Sequence, residues 1–251
     1  MKECAVIVPV ADLRARPEHR SERVSQVLFG HSVMILDELG DFLHVECDDG
    51  YRGWLSSAYC AEKVATQPHL TVVVSDFAAV IDSATECRLL LPFGALVPCD
   101  AQDRLRHPAN NDSLKLVSGE LGAAEIVEMC SVAELARRFV GIPYLWGGLS
   151  TFGFDCSGLT QAVYRRKGLL LPRDSKDQAL SGREIVLEEA QPGDLLFWPG
   201  HVAIYAGESQ IIHATRLRGM VTAESLDPEA HRYREDLADS ITSVRRIEVG
   251  R

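Results

Sequence analysis

Near residue 124 the apolar residues of this chain change their period. Upstream, short β-type runs alternate with turn signals: Ala5–Val10, Val24–Leu28, Val33–Leu39, Leu43–Cys47 and Trp54–Leu55, punctuated by Gly30, Gly40-Asp41 and Asp48-Asp49-Gly50. Strands of that length and spacing predict a small β-barrel over residues 1–61. Residues 62–125 repeat the texture in Leu70–Ser75, Ala78–Asp82, Arg88–Leu91 and Leu114–Leu116, with the polar stretch Gln102–Ser113 as an exposed loop. From Ala124 to Val140 the spacing becomes helical (Ile126, Val127, Cys130, Val132, Leu135, Ala136, Phe139), and Gly141 ends the run. A second helix fits Ser157–Lys167, stopped by Gly168. After Pro192-Gly193-Asp194 come strand-like segments at Leu195–Trp198, His201–Ala206, Gln210–Thr215 and Ile241–Val249. Helices followed by an antiparallel meander describe an α+β domain over 126–251.

With 251 residues the chain can bury more than one core, and small β modules allow three domains. Asp and Glu total 36 against 26 Lys and Arg, a net charge of −10, which argues against nucleic acid as the main partner. The N-terminal apolar run is interrupted by Pro9 and closed by Asp12, a poor export signal, and no stretch approaches a membrane span. The seven cysteines, Cys4, Cys47, Cys60, Cys87, Cys99, Cys130 and Cys156, are scattered, odd in number and form no C-x-x-C. Reduced thiols and a cytoplasmic protein are expected, with no membrane partner, no structural zinc knuckle and no cofactor.

Cys156 has a setting of its own. It lies in Phe-Asp-Cys-Ser-Gly-Leu, where a loop containing Gly147, Gly148 and Gly153 enters a helix. Unpaired N–H groups and the macrodipole at a helix start favour a thiolate over a thiol. The alternative is that Cys156 packs as a small hydrophobe.

Two histidines bear on that choice. His201 opens the strand His-Val-Ala-Ile-Tyr-Ala, and His213 lies in Gln-Ile-Ile-His-Ala-Thr, with Gly207 between them. If Tyr205 pairs with Ser209 in a hairpin, His201 stands directly opposite His213, close enough for one imidazole to orient the other. A nucleophile (Cys156), a base (His201) and a group orienting the base (His213) make a hydrolytic triad, with the Cys156 backbone N–H as a candidate oxyanion donor. Zinc binding by the same Cys/His/His set is the competing chemistry; a glycine-led helix start suits a thiolate without a metal.

These stretches resemble the NlpC/P60 family of bacterial cell-wall cysteine peptidases. The resemblance rests on Gly141-Ile-Pro-Tyr-Leu-Trp-Gly-Gly, Phe154-Asp-Cys-Ser-Gly-Leu, Leu171-Pro-Arg-Asp-Ser175, Pro192-Gly-Asp-Leu-Leu-Phe, His201-Val-Ala-Ile-Tyr and Ile212-His-Ala, in the family's order across residues 125–249. It implies a papain-like catalytic domain with its Cys-His-His triad on Cys156, His201 and His213. The first two regions resemble tandem bacterial SH3 domains through Asp12-Leu-Arg-Ala-Arg-Pro17 and Asp49-Gly-Tyr-Arg-Gly-Trp54, the second module mainly through order and texture. Two SH3-like barrels before an NlpC/P60 domain look like the γ-D-glutamyl-diamino acid endopeptidases that recycle murein peptides.

That resemblance implies cleavage of L-Ala-γ-D-Glu↓diamino acid with a free L-Ala amine. It places Tyr51, Glu22 and Asp155 near the ammonium, with Trp146, Ser157 and Ser175 as further substrate-binding residues. Each has a plainer alternative: core aromatics for Tyr51 and Trp146, a surface charge for Glu22, a helix cap for Asp155 and a loop hydroxyl for Ser175. Two other functions remain open, a wall-peptide-binding protein with a non-catalytic third domain and a thioester-forming acyltransferase.

Overall fold

The computed structural model describes residues 2–62, 69–123 and 130–248, in two compact units that divide between Ile126 and Val127. The expected helical positions Ala124, Ile126 and Val127, and the end of the last expected strand at Val249, lie outside the described residues.

The N-terminal unit is all sheet and turn among its described residues, save one short 3-10 turn at Ser57–Tyr59. Strands β1 (Lys2–Val6), β2 (Val10–Arg14), β3 (Arg23–Leu28), β4 (Ser32–Leu39), β5 (Phe42–Glu46), β6 (Arg52–Ser56) and β7 (Cys60–Glu62) form one sheet in the order β3-β2-β6-β5-β4-β1-β7. The run Ala5–Val10, expected as one strand, is split here into β1 and β2. Proline at position 9 has no N–H to offer a ladder, so the chain turns there. Val6, Leu13, Val45 and Leu55 fill the core of this sheet.

Six further strands follow: β8 (His69–Val73), β9 (Phe77–Asp82), β10 (Arg88–Pro92), β11 (Leu96–Cys99), β12 (Leu114–Ser118) and β13 (Leu121–Ala123). They form two three-stranded sheets, β10-β9-β12 and β11-β8-β13, around Phe29, Val73, Val80, Leu91 and Val97. The described strands of this unit do not join into a closed barrel, so the two small barrels expected from the strand spacing are open sheets here. Strand β11 is one that the pattern did not predict: with Pro98 inside it, the run loses its strand signature.

The C-terminal unit packs helices on an antiparallel sheet, as the α+β pattern predicts. Helix α1 (Val132–Arg138) opens with a capping box, the Ser131 Oγ accepting from the Glu134 N–H and the Glu134 carboxylate accepting from the Ser131 N–H. The hairpin β14 (Leu149–Ser150) and β15 (Gly153–Phe154) leads into helix α2 (Cys156–Arg165), then short α3 (Ser175–Gln178). Strands β16 (Arg183–Ile185), β17 (Leu195–Trp198), β18 (His201–Gly207), β19 (Gln210–Thr215), β20 (Met220–Ser225) and β21 (Ser243–Arg246), with α4 (Glu235–Ala238) before β21, complete it. The sheet order is β16-β21-β17-β18-β19-β20. Helix α2 lies against β18 and buries Leu159, Val163 and Tyr164. Among the described residues no helix is long and apolar enough to cross a membrane.

Candidate active site

Residues 141–158 bring the nucleophile candidate to the start of α2. The Leu145 N–H bonds the Phe154 carbonyl and the Phe154 N–H bonds the Pro143 carbonyl, folding the glycine loop back on itself. Asp155 caps α2 by accepting from the Gly158 N–H at 2.7 Å, and its other oxygen accepts from the Gly147 N–H at 2.9 Å. Gly158 has a steric reason: a Cβ there would stand 2.0 Å from the Gly148 carbonyl oxygen, so only glycine lets the first turn of α2 press on the loop.

Arg173 completes this clamp. Its guanidinium grips both Asp155 oxygens, at 2.7 and 3.1 Å, and donates to Ser157 Oγ at 2.9 Å. Asp155 and Ser157 are each 6% exposed, and Ser157 also donates to Asp155 at 3.3 Å. The two residues were expected against the substrate. Their side chains bond protein partners, and Asp155 also caps α2. Trp146 is 55% exposed, and Ser175 opens α3 half-buried. Tyr51 and Glu22 belong to the N-terminal unit, where Tyr51 packs against the core of the seven-stranded sheet and Glu22 is exposed.

The backbone N–H groups of Val202 and Ser157 bear on the sulfur of half-buried Cys156, which opens α2 where that helix lies against β18. Burial pushes the thiol up to about 11, and the neighbouring Asp155 charge adds to this; the N–H donors and Arg173 pull the other way without prevailing. This direction runs against the thiolate favoured at a helix start. The positive end of α2 is already faced by the Asp155 carboxylate, so the sulfur gains little from it. Burial likewise lowers His201 to about 3, assisted by His213 and Arg234. Both shifts favour the uncharged forms, a thiol and a neutral imidazole. Tyr144 also lies near the sulfur, its hydroxyl pushed up to about 12 by burial and then by the Cys156 and Asp155 charges.

The histidines meet, though not in the predicted register. Ile204 pairs with Ile212 and Tyr205 with Ile211, which puts Ala203, not His201, opposite His213. The turn is Glu208-Ser209, both at positive φ (51° and 59°), with an irregularity between Tyr205 and Gly207. That is the signature of a two-residue hairpin turn rather than the looser one assumed. His201 and His213 are therefore diagonal neighbours on one face, and His201 Nε2 lies 2.7 Å from His213 Nδ1. His213 is 1% exposed.

Behind His213 lies a residue the sequence did not single out. Glu224 on β20 is 2% exposed, and its Oε2 is 2.8 Å from His213 Nε2. It also accepts from Arg218 Nε at 2.8 Å and from Arg234 Nη1. The pairing of Ile211 with Glu224 and His213 with Thr222 puts all four on the same sheet face. Among the described residues no three His, Cys, Asp or Glu side chains form a metal-holding group.

Residues 141–237 match the profile of the NlpC/P60 family, and residues 13–58 that of the bacterial dipeptidyl-peptidase Sh3 domain. The dipeptidyl-peptidase 6 of Lysinibacillus sphaericus is 31% identical over 95% of this chain and 97% of its own length. The chain belongs to the NlpC/P60 family. It is a cysteine peptidase of that family carrying a bacterial SH3 domain. The γ-D-glutamyl-L-lysine dipeptidyl-peptidase of Bacillus subtilis (strain 168) is also 31% identical, over 76% of this chain and 72% of its own. In fold, this NlpC/P60 peptidase resembles an NlpC/P60 family protein from Bacillus cereus ATCC 10987, with a TM-score of 0.86 over 98% of this chain and 99% of that one at 22% identity.

Proposed function

We propose that this peptidase hydrolyses the bond between γ-D-Glu and a diamino acid in murein peptides that carry a free N-terminal L-Ala, with Cys156 as nucleophile, His201 as base and His213 as its orienter. The observation that carries the reading is the 2.7 Å contact between His201 Nε2 and His213 Nδ1 on one face of the β18–β19 hairpin, with α2, which Cys156 opens, packed against β18. The names of the relatives from Bacillus subtilis and Bacillus cereus, both γ-D-glutamyl-L-lysine dipeptidyl-peptidases, support the scissile bond.

As the Cys156 sulfur adds to the γ-glutamyl carbonyl carbon, its proton passes to His201. The negative oxygen of the tetrahedral adduct takes a hydrogen bond from the Cys156 N–H, and His201 returns the proton to the leaving amine of the diamino acid. Water, deprotonated by His201, then cleaves the thioester and frees the thiol. Trp146 and Ser175 are proposed to line the substrate cleft. In this reading Asp155 and Ser157 act through the position they give Cys156.

The test is incubation with L-Ala-γ-D-Glu-diaminopimelate and its N-acetyl derivative, with Cys156→Ala as control. Burying an ammonium that acetylation removes leaves its partners unpaired, so the acetylated peptide should be cleaved about a hundredfold less efficiently. Equal cleavage of both peptides would remove the free-amine requirement, and turnover by Cys156→Ala would remove the thiol mechanism. A cytoplasmic recycling role belongs to the same proposal; lysis of intact sacculi by the enzyme, or its recovery from culture medium, would overturn that part.

A further inference from the structure

We infer that Glu224 is a positioning residue that sets the protonation pattern of both histidines, so that His201 presents a bare Nδ1 to the Cys156 thiol. The inference rests on the reading of Cys156 and His201 given above and adds a fourth member behind them.

Glu224 is enclosed by positive and hydrogen-bonding groups from every side. Arg218 comes from the turn between β19 and β20, Arg234 from the start of α4, and His213 from the neighbouring strand. Asp236 faces Arg234 from beyond, at 2.7 and 2.8 Å. Burial works against the charge, yet the bonds from His213 and Arg218 hold the carboxyl down at about 2. An ionised carboxylate only accepts hydrogen bonds. The 2.8 Å contact therefore places a proton on His213 Nε2.

The consequence runs along the chain of contacts. Arg218 and Arg234 supply positive charge at Glu224, and it is the neutral form of His213 whose tautomer the contact sets. A neutral imidazole has one N–H, and with that on Nε2 the His213 Nδ1 is an acceptor. It lies 2.7 Å from His201 Nε2, which must then be the donor. His201 is left with its lone pair on Nδ1, the atom that takes the thiol proton as the sulfur bonds to carbon and later returns it to the leaving amine. With the opposite tautomer at His213, two N–H groups or two lone pairs would confront each other, or His201 would face the thiol already protonated.

Histidine side-chain ¹⁵N NMR on the wild-type protein at neutral pH tests the pattern directly. Both His201 and His213 should be Nε2–H tautomers, and a protonated Nδ1 on His213 overturns the inference whether or not any variant folds. In Glu224→Gln the amide either points its N–H₂ at His213 or sets it against the arginines. On the scale of one lost hydrogen bond to a charged group, kcat should fall about ten- to a hundredfold with KM unchanged, and iodoacetamide labelling of Cys156 should slow by a similar factor. Unchanged kcat and unchanged tautomers in this variant would refute the role of Glu224. Activity in Cys156→Ala would instead refute the underlying triad, so the two failures are distinguishable.

Discussion

Replacing Asp155 by Asn should destabilise the C-terminal unit more than replacing Arg173 by Met, although each breaks the same ion pair. The reason is what each partner keeps. Without Arg173 the carboxylate still accepts from the Gly147 N–H, the Gly158 N–H and the Ser157 hydroxyl, at the favourable end of α2. The cost is then the loss of a charge-assisted bond, about 1–3 kcal/mol. Without the Asp155 charge, a guanidinium whose side chain is 1% exposed loses its bidentate carboxylate partner while keeping contacts such as Ser157 Oγ at 2.9 Å and the Gly148 carbonyl at 3.5 Å. Breaking a buried pair that way costs about 3–5 kcal/mol. The double variant should cost less than the sum of the singles, by about 2 kcal/mol, since removing both charges leaves none stranded. Urea unfolding read by Trp146 and Trp198 fluorescence in a Trp54→Phe background isolates this unit. If Arg173→Met costs as much as Asp155→Asn, or the two add to within about 0.5 kcal/mol, the reasoning about stranded charge is wrong.

Two further outcomes are expected. His213→Gln should retain more activity than His201→Gln in steady-state assays, because glutamine can orient an imidazole but cannot shuttle its proton; equal and complete loss would assign both residues one shared role. Alkylation of Cys156 by iodoacetamide, followed by mass spectrometry, should accelerate with pH up to about 11, since the thiolate is the reactive form and burial raises the thiol; a plateau already reached below neutral pH would mean a standing thiolate–imidazolium pair.

The proposed triad was legible in the sequence because its pattern is local: a cysteine at a glycine-led helix start and two histidines in one hairpin are visible as patterns. The hairpin register was misplaced by two residues, and the prediction that the histidines share a face survived because side chains alternate with period two. A slip of one would have put them on opposite faces. Glu224 was not legible for the opposite reason. It lies in β20, a strand the pattern did not flag, and its meaning comes only from pairing with β19 and from arginines that reach it from a turn and from α4. Arg173 lay inside a quoted motif, yet nothing in Leu-Pro-Arg-Asp-Ser says that its guanidinium turns back eighteen residues to Asp155. The run split at Pro9 and the strand gained around Pro98 show the limit of texture in small β modules, where one residue without an N–H decides an element's end in one place and is tolerated in another.

The raised thiol changes how the site must be understood. A cysteine ionised by its helix would need little from its neighbours beyond a base to hold the proton. Here Asp155 occupies the N-terminal end of α2, so the dipole that could have stabilised a thiolate instead stabilises the cap and the loop. In the proposed mechanism a raised thiol is deprotonated during attack, which requires the proton acceptor to be unprotonated, correctly oriented and near the sulfur at the same moment. In that proposal each demand falls on a different group: burial favours neutral His201, His213 with Glu224 behind it orients it, and the Asp155–Arg173 clamp holds the start of α2 that carries the sulfur. Losses at these positions should thus appear in kcat and in Cys156 labelling together, because all three act on one proton transfer. A variant of the clamp that slowed turnover while leaving labelling unchanged would separate the positioning of the sulfur from its activation and break that argument.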